Sequence, residues 1–316
     1  CMQAAEQTGI GFTALPVLYR YGGFGSTEPV AAQKRFINDT DSFCRIVEVL
    51  RQASKAMNNV SVGIAPHSLR AVDKTLLSSV LSNLGIDNLA AVHIHIAEQL
   101  KEVDDCVSWS GRRPVDWLFD HFEVDSKWCL IHATHMDENE TRRMAESGCV
   151  AGLCPTTEAN LGDGFFNMQQ YNRQNGKWAI GSDSHISIDP VEELRWLEYG
   201  TRLLSHRRNV LLSAGQSHTG RSLLDASWQG GKLACGRKTG SIEVGYRADF
   251  IVLDTRHPRL YARREDSLLD SWIFAGNQNP VQHVYVGGRQ LIKDGRHVNE
   301  EQVAANYRRT LHQLAG

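Results

Sequence analysis

Histidine is absent from the first 66 of the 316 residues, so that segment offers no imidazole ligand for a metal. The sequence also lacks any C-x-x-C pair, and its seven cysteines are scattered and odd in number. Several of them lie in apolar runs, where a thiol behaves as a small hydrophobe. This cysteine usage predicts a reduced, cytoplasmic protein rather than a disulfide framework.

A strong charge of one sign and a long apolar run are lacking as well. Acidic and basic residues nearly cancel, 36 against 34, and give a formal net charge of −2. Such a balance provides no electrostatic basis for binding nucleic acid or an anionic membrane. No apolar stretch approaches the length of about 18 residues that a membrane-spanning helix needs. The sequence therefore predicts a soluble protein that acts on a small molecule.

Apolar strand-like runs alternate with helical patterns from the start of the chain to about residue 205. Six runs fit buried parallel strands, at residues 10–17, 60–65, 89–96, 128–132, 149–154 and 177–181. Helical patterns occupy residues 41–57, 73–84, 98–109, 115–122, 138–147 and 190–205. Alternation at this spacing is typical of a parallel α/β sheet. We therefore expect residues 1–235 to form a (β/α)8 TIM-type barrel that lacks its first two strands.

The pattern changes beyond residue 235, where short strands and glycine turns replace the long helices. Residues 240–254 and 281–289 read as β-strands, and the second of these segments includes a hairpin. We expect the C-terminal part of a small β-sandwich domain at residues 236–298 and a C-terminal helix at residues 299–316.

Two histidines and an aspartate are expected at three strand ends. His93 and His95 share one face of a strand because side chains alternate along it. His132 ends the next strand, and Asp183 follows a later one. Alternating histidines in a strand are more often hydrogen-bonded than metal-bound. However, the carboxyl ends of barrel strands meet at one face, where this set of donors suits Zn²⁺ or another divalent first-row metal.

Glu98 adds a proton carrier to this group, because it follows His95 by only three residues. A carboxylate in that position can lie beside a metal-activated water and move protons without binding the metal. The combination is suited to hydrolysis of a C–N bond.

Several short segments together resemble the amidohydrolase superfamily in its aminohydrolase, or deaminase, branch. They are the H-x-x-E of His95 and Glu98, residues 130–135 (LIHATH), residues 182–185 (SDSH) and residues 245–250 (GYRADF). Within that branch, residues 66–72 (PHSLRAV), 93–99 (HIHIAEQ) and 155–164 (PTTEANLGDG) are most similar to the formimidoylglutamate deiminases. The resemblance covers nearly the whole chain.

The resemblance implies a zinc enzyme with one Zn²⁺, for which His95 and Asp183 are ligands. It also implies that Glu98 shuttles protons, that His132 orients the metal water and stabilises charge, and that Asp183 takes a proton from that water. The implied reaction is the hydrolysis of N-formimino-L-glutamate to N-formyl-L-glutamate and ammonia, a step of histidine degradation.

His67 and Arg70 match positions that the family uses to hold the substrate's carboxylates. A guanidinium binds a carboxylate through a bidentate fork, which suits a dicarboxylate substrate. From the residues alone, a helix cap or a salt bridge explains the pair about equally well. His93 is expected to make a structural hydrogen bond, and residues 160–176 form either a lid or a plain connection.

One feature of the superfamily is missing, namely an H-x-H at the end of the first barrel strand. We therefore expect the intact protein to be longer and to be the enzyme, whereas these 316 residues bind zinc weakly or not at all. The strand edge at residues 10–17 is expected to favour aggregation. Two alternatives remain, a deaminase of guanine, an adenosine derivative or formimino-aspartate, and a catalytically inactive remnant without metal. A homodimer would agree with the frequent pairing of superfamily members.

Overall fold

A computed structural model describes residues 1–316 as twelve α-helices and twelve β-strands. The helices are α1 Met2–Thr8, α2 Thr40–Ser54, α3 Lys74–Leu84, α4 Leu100–Ser110, α5 Pro114–His121, α6 Glu138–Ser147, α7 Pro155–Leu161, α8 Met168–Arg173, α9 Pro190–Ser205, α10 Thr219–Ala234, α11 Asp266–Phe274 and α12 Glu300–Ala315. The strands are β1 Phe12–Ala14, β2 Val17–Leu18, β3 Val60–Val62, β4 Ala65–Pro66, β5 Val92–Ile96, β6 Trp128–His132, β7 Val150–Leu153, β8 Lys177–Ile180, β9 Phe250–Leu253, β10 Val281–Val286, β11 Arg289–Lys293 and β12 Arg296–His297.

The strands β1 to β8 occupy the six predicted strand positions, and every pair among them is parallel. β5, β6, β7 and β8 form one sheet in that order, β1 pairs with β3, and β2 pairs with β4. Bridges from Ile64 to Val92 and from Ser68 to His95 connect the β3 and β4 position to β5. The predicted single strand at residues 10–17 is interrupted at Pro16, which has no backbone N–H to donate. Because all these pairs are parallel, the carboxyl ends of β1 to β8 lie on the same side of the barrel.

The core lies between these strands and the surrounding helices. Ile94, Trp128 and Leu130 are among its largest fully buried side chains. On the β8 side, α10 packs so closely that a Cβ at Gly230 would lie 1.8 Å from the carbonyl oxygen of Trp178. The glycine is needed there because any larger residue would push the helix away from the sheet. None of the twelve helices combines the length and the apolar character that a membrane span requires.

The C-terminal region forms an antiparallel sheet in the order β12-β11-β10-β9. Gly287 and Gly288, with φ of 58° and 78°, make the predicted hairpin turn between β10 and β11. The predicted small-domain range, residues 236–298, includes α11, which packs against α9 and α10. Trp272 and Ile273 of α11 are buried in the barrel core, which stabilises the helix there rather than on the small sheet.

Candidate active site and metal centre

The predicted site residues all come together at the carboxyl ends of β4, β5, β6 and β8. We call this group the strand-end site, and it consists of His67, Arg70, His95, Glu98, His132 and Asp183. The imidazole rings form a row in which the centroids of His67 and His95 are 5.2 Å apart and those of His95 and His132 are 5.5 Å apart. Parallel pairing of β5 with β6 brings His95 and His132 to neighbouring positions at the strand ends, where His132 leaves the regular strand conformation with φ of 69°.

His95 presents one particular nitrogen for a ligand. Its Nδ1 lies 2.8 Å from the carbonyl oxygen of His67. A carbonyl only accepts hydrogen bonds, so Nδ1 carries the proton and Nε2 keeps its lone pair. Burial lowers the pKa of His95, and the bond to His67 offsets part of that effect. His95 is therefore neutral and able to bind a metal through Nε2.

His93 has a different role from His95, although both lie on the same strand face. Its Nε2 is 2.7 Å from the carbonyl oxygen of Ala234, at the end of α10. This contact is the structural hydrogen bond predicted from the sequence. It ties β5 to the helix that covers β8.

His132 faces two carboxylates with its Nε2 atom. That nitrogen is 3.5 Å from Glu98 Oε1 and 3.9 Å from Asp183 Oδ2. It is buried and has no hydrogen-bond partner. Burial lowers the pKa of His132, but the hydrogen bond to Glu158 and the charges of Glu98 and Asp183 outweigh it, so the pKa is raised above its ordinary value. An unpartnered buried nitrogen between two carboxylates is suited to a water or substrate atom.

Arg70 and His67 lie beside this centre. The terminal Nη2 of Arg70 is 4.0 Å from Glu98 Oε2 and 3.9 Å from Glu102 Oε2, and its Nε is buried without a hydrogen-bond partner. His67 packs edge-on against Tyr19, with ring centroids 4.8 Å apart. Burial, together with the nearby His95 and Arg70, lowers the pKa of His67 to about 4. His67 is therefore uncharged at neutral pH, and Arg70 supplies the positive charge.

Glu158, in the first turn of α7, is a site residue that sequence reasoning missed. Its Oε1 lies 3.3 Å from His132 Nδ1 and accepts a 2.9 Å hydrogen bond from the backbone of Cys154. Cys154, Glu158 and His132 form a buried group with metal-binding atom types. Burial strongly raises the pKa of the Cys154 thiol, so it stays protonated and is a poor ligand. A glutamate just after the strand-end sequence C-P-T-T was the available signal.

The backbone is unusual at the same strand ends. Five non-glycine residues there have positive φ, namely Ala97 (50°), His132 (69°), Ala133 (48°), Asp183 (45°) and His185 (58°). Such conformations cost free energy and are concentrated at functional sites. The surrounding packing must therefore hold these turns in place.

Residues 160–176, which the sequence left as a lid or a connection, pack onto the barrel. Phe166, Met168 and Tyr171 are buried. His135 Nε2 lies 2.6 Å from the carbonyl oxygen of Asp163, and Gln99 donates a 3.0 Å hydrogen bond to the Asp163 carboxylate. These contacts make the segment a packed connection at the rim of the site.

Comparison with known proteins agrees with this architecture. The sequence profile of the amidohydrolase family matches residues 1–291. A formimidoylglutamate deiminase from Pseudomonas aeruginosa is 49% identical over 312 residues, which cover 99% of this chain and 68% of that protein. The chain belongs to the amidohydrolase family. Family membership and this identity indicate a hydrolase that acts on C–N bonds.

Solved structures confirm the predicted barrel fold with an antiparallel C-terminal sheet. An amidohydrolase from Brucella melitensis superposes with a TM-score of 0.93 at 45% identity, covering 99% of this chain and 68% of that one. An adenosine deaminase from Xanthomonas campestris with bound zinc superposes with a TM-score of 0.82 at 22% identity, with the same coverage.

A more distant relative by sequence is a 5-methylthioadenosine/S-adenosylhomocysteine deaminase from Archaeoglobus fulgidus. It is 29% identical to this chain, over 81% of this chain and 59% of its own length.

Proposed function

We propose that the protein containing this chain hydrolyses N-formimino-L-glutamate to N-formyl-L-glutamate and ammonia, as a cytoplasmic enzyme of histidine degradation. The 49% identity to a formimidoylglutamate deiminase supports the substrate. The observation that carries the proposal is the position of Glu98, whose two carboxylate oxygens lie 3.5 Å from His132 and 4.0 Å from Arg70. A proton carrier is thereby placed next to a cation suited to a carboxylate.

The donor atoms fit a zinc ion. His95 offers a neutral Nε2 because its Nδ1 is engaged with His67, and Asp183 offers carboxylate oxygen. When bound, zinc would make a water molecule acidic enough to act as a nucleophile near neutral pH. Catalytic zinc sites use three or more protein ligands. These two ligands alone would bind zinc weakly, so we expect low affinity in the 316-residue chain.

The chain's own side chains would manage the protons of the reaction. The water oxygen bonds to the formimino carbon, the bond from that carbon to its terminal nitrogen breaks, and the nitrogen leaves as ammonia. Asp183 would accept the first proton of the water and Glu98 would carry protons to the leaving nitrogen, so that both protons of the water end on the ammonia. In its protonated form, His132 would donate from Nε2, which has no other partner, to the reacting oxygen and so stabilise charge there.

Arg70 would bind a substrate carboxylate with its unused donors. Its Nε is buried without a partner, and both of its ion-pair distances are longer than a hydrogen bond. His67, being uncharged, would contribute at most a neutral hydrogen bond. Of the two carboxylates of the proposed substrate, Arg70 would bind one and would supply most of the charge recognition.

The test is ammonia release from N-formimino-L-glutamate by the natural protein that contains these residues, with zinc quantified in the same sample. Formimino-aspartate, guanine and 5-methylthioadenosine serve as competing substrates, and the 316-residue chain is assayed alongside. Release from N-formimino-L-glutamate in preference to the others supports the proposal. A zinc-loaded protein that deaminates only another substrate overturns it, and absence of zinc and of all activity favours a catalytically inactive protein.

A further inference from the structure

We propose that Glu158 is a positioning residue that orients the imidazole of His132 for the reaction. The inference rests on the function proposed above, in which His132 stabilises charge on the reacting oxygen. It concerns a side chain that lies behind His132, on the face away from Glu98 and Asp183.

Glu158 is a buried carboxylate with an ionisable neighbour and no lysine or arginine partner. It is only 4% exposed, and His132 is the sole group with which it forms an ion pair. A buried charge is costly unless it is paired and hydrogen-bonded. The contact of Oε1 with His132 Nδ1 at 3.3 Å therefore has a larger effect than a surface pair would.

This contact determines which nitrogen of His132 faces the site. A carboxylate accepts hydrogen bonds, so the proton between the two groups belongs to His132 Nδ1. The ring is then held with Nε2 directed toward Glu98 and Asp183. Carboxylates that hold a histidine in this way set both its tautomer and its ring orientation.

His132 needs such support because its own backbone leaves the regular strand conformation, with φ of 69°. Glu158 can provide the support because α7 is itself anchored. Glu193 accepts hydrogen bonds from the Thr156 backbone at 2.9 Å and from its hydroxyl at 2.6 Å. Thr157 donates a 3.1 Å hydrogen bond to the carbonyl oxygen of Ser182, next to Asp183. His132 at the end of β6, Cys154 after β7 and Ser182 after β8 therefore all contact α7.

A purely structural role is the competing explanation, because Glu158 also accepts the backbone N–H of Cys154, which precedes α7. A cap of this kind affects the stability of the protein. It would not selectively change the catalytic rate constant or the environment of His132. The two explanations can be separated by experiment.

The experiment compares Glu158→Met, Glu158→Gln and the control Glu193→Gln in the natural protein that contains these residues. Loss of a group that orients a catalytic histidine commonly costs about 10–100-fold in activity. We expect Glu158→Met to lower kcat by about that factor, with KM within about threefold and zinc content unchanged. Glu158→Gln should lose less, because its amide oxygen still accepts the Nδ1 proton. Glu193→Gln alters an equally buried glutamate that lies on α9 and does not touch His132. Its amide oxygen can still accept the Thr156 backbone N–H that holds α7, so this variant should keep its kcat.

A second readout does not depend on activity. In ¹⁵N-histidine-labelled protein, the Nδ1 proton of His132 can be identified by its loss in His132→Gln. We expect this resonance to be lost or shifted in Glu158→Met and kept in Glu193→Gln. The proposal is overturned if Glu158→Met retains both the resonance and kcat, or if Glu193→Gln loses as much kcat. A wild-type protein that is inactive on N-formimino-L-glutamate would refute the substrate, while the resonance would still test the Glu158 contact.

Discussion

Arg70 is the residue on which recognition of a substrate carboxylate depends. Its Nη2 lies 4.0 Å from Glu98 and 3.9 Å from Glu102, so both ion pairs are loose, and its buried Nε has no partner. Because a hydrogen bond to a charged group contributes about 1.5–3 kcal/mol, Arg70→Met should raise KM for N-formimino-L-glutamate by about 10–100-fold, with a smaller effect on kcat. Steady-state kinetics measures both constants.

The matched control for Arg70 is Arg221→Met. Arg221 has a side chain of similar exposure, 33% against 34%, but its ion pairs with Asp266 and Asp225 lie away from the strand-end site. The control should leave KM unchanged. An unchanged KM in Arg70→Met would exclude the proposed carboxylate contact.

Glu98 is expected to affect the rate rather than the binding of substrate. An amide in its place keeps the shape of the side chain but cannot exchange protons. Glu98→Gln should therefore lower kcat by about 100-fold or more, while zinc content stays at the wild-type level because Glu98 is not a predicted ligand. Kinetics and metal analysis on the same sample provide the measurement. Wild-type kcat in a zinc-loaded variant would contradict the proton-shuttle role.

His67 should remain uncharged down to unusually low pH. Burial and the neighbouring His95 and Arg70 lower its pKa to about 4, from an ordinary value of 6.5. The unfolded chain then binds the proton first, so stability is lost as pH falls from about 6.5 to about 4. In metal-free protein, the unfolding temperature of the wild type should fall relative to that of His67→Gln over this range. A constant difference between the two would contradict the lowered pKa.

The proximity of the side chains in the strand-end site could be predicted because each residue stands at a strand end or in a short motif. Glu158 could not, because its role depends on the path of α7 behind β6. Its distance of 3.3 Å from His132 is a tertiary contact between residues 26 positions apart. The glutamate just after C-P-T-T signals a side chain near a strand end, but not its contact with His132.

The start of α6 depends on one buried carboxylate. Glu140 accepts hydrogen bonds from Arg113 Nε at 2.7 Å, the Val115 backbone at 2.9 Å and the Asp137 backbone at 3.1 Å, and so links α6 to the start of α5. Glu140→Ala removes a cap and leaves buried donors unpaired, which should lower the free energy of unfolding by about 3 kcal/mol. Urea denaturation measures the change.

Glu138→Ala is the control for Glu140, since it alters an exposed acidic residue in the first turn of the same helix. Loss of its interaction with the helix dipole should cost less than about 1 kcal/mol. Equal destabilisation by the two substitutions would mean that the buried hydrogen bonds of Glu140 contribute little.

The end signals of α6 predict its bounds to the residue, whereas α10 and α7 are not predicted as helices at all. α6 begins after the capping box of Asp137 and Glu140 and ends at Gly148, so its predicted and observed bounds agree. α10 was not predicted, because Gly230 and Gly231 count against a helix in isolation. Gly230 is explained only by the close approach of α10 to the backbone of Trp178, a contact that the local sequence does not reveal. α7 is seven residues long, too short to show an apolar stripe.

At the scale of the whole molecule, the parallel strands have two open sides. β1 and β2 pair only with β3 and β4, and β8 pairs only with β7. Arg237, which follows α10, donates hydrogen bonds to the carbonyl oxygens of Phe12 at 3.0 Å and Asn59 at 2.7 Å. It therefore covers the start of the open edge at β1 and β2. The sequence predicted the edge itself, but not that a residue assigned to the small domain would bind it.

The remaining part of that edge should control how readily the 316-residue chain aggregates. Val17 in β2 is 47% exposed beside an unpaired strand edge, and charged residues at such positions prevent edge-to-edge pairing. Val17→Lys should therefore raise the temperature and concentration at which light scattering begins. Val49→Lys adds the same charge at a position that is 66% exposed on α2, away from the sheet, and should have a smaller effect. Equal improvement by both would assign the effect to net charge, and no improvement from Val17→Lys would mean that this edge does not drive association.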